Sequence, residues 1–348
     1  YFSKLRITII SLVSLLFIII ASSNLFNFDN TFLNKKINLG LDLQGGSYLL
    51  LEVQTDVLID EEFENFSDTV RIIARENRVK INNIEKIDDE LKVRFESSDK
   101  IDEIRSSFLQ NYRSVKFNID NNVASVSIDQ LYKKSIQDSA IKQSLEIVRK
   151  RIDESGTKEP LIQRSGSERI LLQLPGVKDP ERIKDLLGKT AKLNFHMVDD
   201  DDSKSLNLNI APFGKMIVAD ISNEEIKYLL EKKSRVGGEN LIDANASFDP
   251  TEGHAVSFRF DTTGAQKFGK ATSENIGKRF AVVLDGVVIT APVINSAITG
   301  GSGIITGNFT SQEAADLAVL LRAGALPAPL EIVEERSVGP GLGADSIA

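Results

Sequence analysis

The sequence has no cysteine and no tryptophan, and only two histidines and two methionines among its 348 residues. Without cysteine there is no disulfide, no thiolate metal ligand and no thiol nucleophile. A domain of this length can fold on its hydrophobic core alone, so the missing cysteines leave the compartment open. His196 and His254 are isolated, which leaves no histidine cluster on which to build a metal site. The net charge of −8 lacks the basic face of a nucleic-acid binder, and no nucleic-acid partner is expected. There is no H-E-x-x-H, no G-x-S-x-G, no Walker loop and no carboxylate pair whose spacing implies acid–base work. No catalytic, cofactor-binding or metal-ligating residue is therefore assigned. No cofactor is expected, and the chain reads as a non-enzyme.

Long apolar runs are also scarce, and the one present organises the rest. Ile7 to Ala21 carries no charge, and the run continues through Ser22, Ser23 and Asn24 to Leu25 and Phe26. A membrane-spanning helix needs about 20 mostly apolar residues. Lys4 and Arg6 precede the run, which favours a cytoplasmic N-terminus with the polar body on the far side. The rival reading is a cleaved signal peptide, since Ala21 and Ser23 fit a small-x-small site; the length of the run favours an anchor.

After the polar stretch 27–37 the chain reads as alternating helices and strands. Ser47 to Val53 is strand-like and follows Gly45-Gly46, where a strand entrance needs a tight backbone approach. Residues 57–130 suggest a small module of two strand pairs flanking helices. Ile141, Leu145, Val148 and Ile152 form one apolar helical stripe. Strands follow at 161–163 and 169–174, a helix starts at Asp179-Pro180, and a further strand runs over 192–198. Together with strand 47–53 this order predicts a ferredoxin-like split unit with 57–130 inserted after its first strand. The acidic run Asp199 to Asp202 marks a boundary as a solvated loop. Ser222-Asn223-Glu224-Glu225 predicts a helix start, as does Thr310-Ser311-Gln312-Glu313. Asp285-Gly286 predicts a type I′ hairpin between 280–284 and 287–290. Gly300 to Gly303 reads as a flexible turn. Leu326-Pro327-Ala328-Pro329 is a stiff connector, and 330–334 a strand that can return to the earlier sheet.

Several longer motifs carry a resemblance. Leu39-Gly40-Leu41-Asp42-Leu43-Gln44-Gly45-Gly46, the stretch Gly156 to Gln163 with Pro160, the stretch Ile170 to Val177 with Pro175 and Gly176, and Leu321-Arg322-Ala323-Gly324 through Pro329 resemble, in order, motifs of the SecD/SecF family. These are membrane subunits of the bacterial Sec export machinery. The resemblance implies an inner-membrane protein that helps exported chains emerge on the periplasmic side, driven by the proton-motive force. It implies SecF, the SecYEG channel, unfolded preprotein and the lipid bilayer as partners, with YajC a further candidate. The competing reading is a membrane-anchored envelope scaffold or export-pump adaptor. The expected fold class is α+β, with a transmembrane helix at 1–26, a linker at 27–37, and a periplasmic ferredoxin-like base over 38–56, 131–198 and 325–337. The inserted module is 57–130 and the α+β head 199–324. Residues 338–348 form a loop toward a second membrane helix that this sequence does not contain. The family's proton path lies in later membrane helices, so no proton-conducting residue is assigned. If the head turns on the base, Val198, Asp199, Gly324, Pro327 and Pro329 are the expected hinge residues.

Overall fold

The computed structural model describes residues 4–22, 45–157, 159–177, 179–200, 206, 209–212 and 214–338. Helix α1 (Lys4–Ser22) covers most of the apolar run. Its uncharged part begins only at Ile7, and the expected continuation to Phe26 lies outside the described residues. Among those described, no helix is long and apolar enough to cross a membrane. Among its described side chains, Leu5, Leu12, Phe17 and Ile18 are each more than 60% exposed, and none joins a hydrophobic core.

The first globular body is a four-stranded antiparallel sheet. Strand β1 (Gly46–Val53) alternates strictly, burying Leu49, Leu51 and Val53. The chain returns to this sheet after an inserted module, through helix α4 (Gln130–Glu154), strands β6 (Leu161–Ser165) and β7 (Arg169–Pro175), and helix α5 (Pro180–Gly188). Asp129 and Asp179 cap the two helices through their side chains, and Pro180 opens α5 where its missing N–H is not needed. The fourth strand is β17 (Leu330–Val338), and the order is β17-β1-β7-β6. With α4 and α5 this is a β-α-β-β-α-β chain order. The returning strand expected at 330–334 is thus present in the sheet.

The inserted module comprises α2 (Thr55–Glu76), β2 (Ile81–Ile87), β3 (Glu90–Phe95), α3 (Ile101–Asn111), β4 (Val115–Asp120) and β5 (Val123–Ile128). Its sheet runs β2-β3-β5-β4 and has a core of its own, centred on Phe63, Phe66, Phe95, Phe108 and Phe117. Tyr132 and Ile136, from the first turns of α4, pack on that core, so α4 ties the module to the first sheet. Helix α3 starts at Ile101, behind Lys100 in a left-handed conformation.

Beyond α5 the chain enters a third body, and here the structure corrects the expected layout. Strand β8 (Leu193–Met197) does not close the first sheet; β17 holds that place. β8 pairs instead with β11 (Val236–Gly237) and β14 (Phe280–Leu284), which continues to β15 (Val287–Thr290). The reason is packing. Phe195 of β8 sits in a cluster with Phe258, Phe260, Phe268 and Phe280, ring centroids 5.2–6.0 Å apart. A second sheet, β12 (Leu241–Asp249), β13 (Gly253–Phe260) and β16 (Ser302–Phe309), and the pair β9 (Lys215–Ala219) and β10 (Lys227–Glu231) complete the strands of this body. Helices α6 (Thr262–Glu274) and α7 (Ser311–Ala323) cover them, α7 from the full capping box expected at Thr310 and Glu313.

Two local expectations fail. Ser222 to Glu225 forms a turn, in which Asn223 Oδ1 accepts from Glu225 N at 2.9 Å; the side chain satisfies the backbone locally and no helix follows. The glycine turn at 300–303 already contains the start of β16. The Asp285-Gly286 hairpin is as expected, with φ of 49° and 83°. Of the acidic run, Asp199 and Asp200 pair with Lys215 and Arg279, and Asp201 and Asp202 lie outside the described residues.

Candidate functional site: the junction between base and head

The chain crosses from the first sheet to the third body twice, outward through Lys189 to Lys192 and back through Gly324 to Pro329. The two crossings touch: Leu326 N donates to Thr190 O at 2.8 Å. Arg151 lies beneath them on α4, with no exposed surface. Its Nη1 donates to Leu186 O at 2.7 Å and to Lys189 O. Its Nη2 donates to Thr190 O at 3.0 Å and Gly324 O at 3.3 Å. One planar guanidinium therefore holds the last turn of α5 and both crossings at once. Burial lowers its pKa to about 10, against the opposing pull of Asp285, so it stays charged at neutral pH.

The outward crossing is gripped from its other side by the β14–β15 turn. The Asp285 carboxylate accepts from Ala191 N at 2.9 Å, Lys192 N at 2.7 Å and the Thr190 hydroxyl. Ala191 is held at φ 61°, a left-handed conformation costing a non-glycine residue about 1 kcal/mol. Gly324 takes φ 94° at the return crossing, where a side chain would be strained. Two further contacts span the gap. Arg182 of α5 grips Asp316 of α7 through Nε at 3.0 Å and Nη2 at 2.7 Å. Arg322 of α7 reaches Glu154 of α4 at 2.7 Å and the Ala244 carbonyl of β12. Below them Leu186, Leu193, Leu320, Leu326 and Ala328 belong to one continuous core that includes both bodies. The junction is a packed joint, not a loose tether.

The expected hinge residues divide. Gly324, Pro327 and Pro329 lie on the return crossing. Val198 and Asp199 do not lie on the outward one: Val198 bridges Leu230, and Asp199 N donates to Leu229 O at 2.8 Å, inside the third body. Strand β8, from Leu193, already pairs with strands of the third body. The motif residues also split into two groups. Gly45, Gly46, Pro175 and Gly176 meet at one end of the first sheet, where Gly46 pairs with both Pro175 and Val338, and Gly176 N donates to Gly45 O at 2.9 Å. Arg322 and Gly324 meet at the junction. Pro160 precedes β6 and joins neither group. Gly40, Asp42 and Gln44 lie outside the described residues. Arg151 and Asp285 were missed as functional residues. A lone arginine one residue before Ile152 on an apolar stripe was the available signal for the first; nothing local distinguishes Asp285 from an ordinary turn aspartate.

Beside the joint lies a cleft of about 560 Å³. Its walls are α5, α7, β15, the end of β16 and the Asp220–Ser222 turn. One sheet edge reaches it: β16 is outermost in its sheet, whereas β15 is bridged on its outer side by Asp220, with Ile221 N donating to Val288 O at 2.9 Å. His196 lies elsewhere in the head, buried, with Nδ1 2.8 Å from Glu231 O; burial lowers its pKa. Among the described residues, no group of His, Asp and Glu side chains could hold a metal ion.

Fold and joint together define a class: a jointed α+β body with an apolar N-terminal helix. Three segments match family descriptions: residues 32–57 the "SecD/SecF GG Motif", 141–200 the "Protein translocase subunit SecDF, P1 domain, N-terminal", and 215–328 the "SecDF, P1 head subdomain". Together they leave 58–140 uncovered, most of it the inserted module. The chain is 42% identical to protein translocase subunit SecD of Rickettsia conorii, over 95% of this chain and 64% of that one. To SecD of Rickettsia prowazekii it is 39% identical, over 99% of this chain and 67% of that one. The crystal structure of SecDF in the super-membrane-facing form is 26% identical, with a TM-score of 0.53 over 97% of this chain and 36% of that one. The chain belongs to the SecD family of protein translocase subunits. It spans about two thirds of the length of those SecD relatives.

Proposed function

We propose that this chain is the anchored, client-handling part of a Sec protein-export subunit. Helix α1 anchors it in the inner membrane with the N-terminus cytoplasmic. Support comes from the unburied apolar side chains of α1 and from Lys4 and Arg6 at its start. The body stands in the periplasm on a ferredoxin-like base. Gly46 and Val338 are paired neighbours, so both flanking segments leave the base from one end, as a membrane-side attachment requires. The head turns on the base at the junction and assists preprotein translocation, coupled to the proton-motive force through SecF and working beside SecYEG, with YajC a further partner. No catalytic step is involved.

The observation that carries this reading is the joint itself: one buried arginine pins both crossings of a head that matches the P1 head description. Packed interfaces of this kind shift between discrete arrangements, with a few crossing residues absorbing the backbone change. The β16 edge at the cleft can accept an extended client segment by adding a strand, which gives affinity without sequence preference. The test is photocrosslinking from Phe309, in the cleft wall, to a preprotein stalled in the channel. A cross-link that depends on the stalled chain is expected. No cross-link from Phe309 or from Asn308 beside it in the cleft wall, alongside normal channel cross-links, contradicts client handling by the head and leaves an envelope scaffold.

A further inference from the structure

The inserted module touches the head as well as the base, and the two contacts differ in kind. Toward the base it is fixed. Tyr132 and Ile136 of α4 are part of its packing, the Tyr132 hydroxyl donates to Glu62 at 2.7 Å, and Gln137 bonds Glu168 beside Thr55. Toward the head its ion pairs are exposed, while Leu58 of α2 packs against the core shared by base and head. Glu61 of α2 meets Lys192 at 2.5 Å, and Asp68 of α2 meets Lys232 at 3.3 Å. Glu61 and Asp68 are seven residues apart, two helical turns on one face. That face lies opposite the buried one carrying Ile59, Phe63, Phe66 and Val70. No head residue enters the hydrophobic core of the module. The two lysines also differ in position: Lys192 is on the outward crossing itself, whereas Lys232 lies in the β10–β11 loop.

We infer that residues 55–130 form a fixed strut whose acidic helix face latches the head electrostatically in this orientation. The inference rests on the reading that the head turns on the base. Rotation about the crossings moves Lys192 little and Lys232 more, so Asp68–Lys232 is the contact made and broken. Exposed pairs are weak, and a weak latch suits a moving part, because it biases the head without trapping it. Salt should release the latch, since screening shortens the reach of exposed charges to about 3 Å at 1 M ionic strength.

These 348 residues contain no cysteine, so, once any cysteine elsewhere in the membrane protein is replaced, two can be introduced for spin labels without background. Lys116→Cys on the module and Glu252→Cys on the head, both exposed, place the labels away from the latch. Distance distributions are measured in the whole membrane protein, for the parent, Asp68→Lys, Lys232→Glu and the charge-swapped double variant. The parent at low salt should favour one of two distances. Either single reversal, or 1 M salt, should shift the ratio of the two populations about two- to fivefold, the range expected for one exposed pair. The double variant should restore the parent ratio, which also shows that the reversals have not unfolded the module. Two distances whose ratio ignores both reversals and salt overturn the latch while leaving the moving head intact. A single distance in every sample overturns the latch and the moving head together.

Discussion

Arg151 is the residue on which the joint depends. A buried guanidinium is costly to desolvate, and here no carboxylate lies within hydrogen-bond reach of it. Its compensation is four backbone carbonyls, two on the outward crossing, one on the return crossing and one on α5. Hydrogen bonds to a charged group are each worth about 1.5–3 kcal/mol, and the desolvation of the ion offsets part of their sum. Arg151→Met keeps most of the volume and leaves all four carbonyls without that donor. It should lower unfolding stability by about 3 kcal/mol in denaturant titrations. Arg151→Lys should recover only part of that, because a single ammonium cannot reproduce the fork that spans both crossings. A Met variant as stable as the parent would mean that the crossings are held by their apolar neighbours alone. The arginine was visible in the sequence as a charge on an apolar stripe, but its partners were not. They come from α5 and from a segment 173 residues further along the chain, and no local spacing announces a contact at that separation.

At the scale of elements, what was legible followed from patterns closed within a few residues. The Asp285-Gly286 turn, the capping box at Thr310 and the Asp179-Pro180 helix start all carry their own stereochemistry. Strand β12 does not: Leu241-Ile242-Asp243-Ala244-Asn245-Ala246-Ser247-Phe248-Asp249 has weak strand propensity, and it is a strand because β13 pairs with it and α7 packs on it. Membership of a sheet was equally hidden. Residues 193–197 and 330–334 both read as apolar strands that could close the first sheet, and the phenylalanine cluster that draws Phe195 into the head is assembled from three other elements. The inserted module is the opposite case, since its core is nearly all local. A polypeptide of residues 55–137, which includes Tyr132 and Ile136, should therefore fold by itself. A cooperative urea transition with a slope near ~1 kcal/mol/M is expected for so small a body. A featureless, non-cooperative change would show that it depends on the base.

At the scale of the molecule, the parts form a mechanical order: an apolar helix, a base whose two described ends lie side by side, a strut fixed to that base, and a head joined through a packed junction. The continuous core across the joint argues for two or a few discrete head positions rather than free swinging, because close-packed interfaces repack in steps. The central claim is that the head must move at this joint for export to be assisted. The most direct measurement uses Arg182→Cys with Asp316→Cys, whose parent side chains meet across the gap. A short bis-thiosulfonate cross-linker joins them in an otherwise cysteine-free chain, and proton-driven preprotein export is followed in membrane vesicles before and after reductant. The expected result is loss of export assistance when the bridge is formed and its return when the bridge is cleaved. Full export with the bridge completely formed would contradict the account.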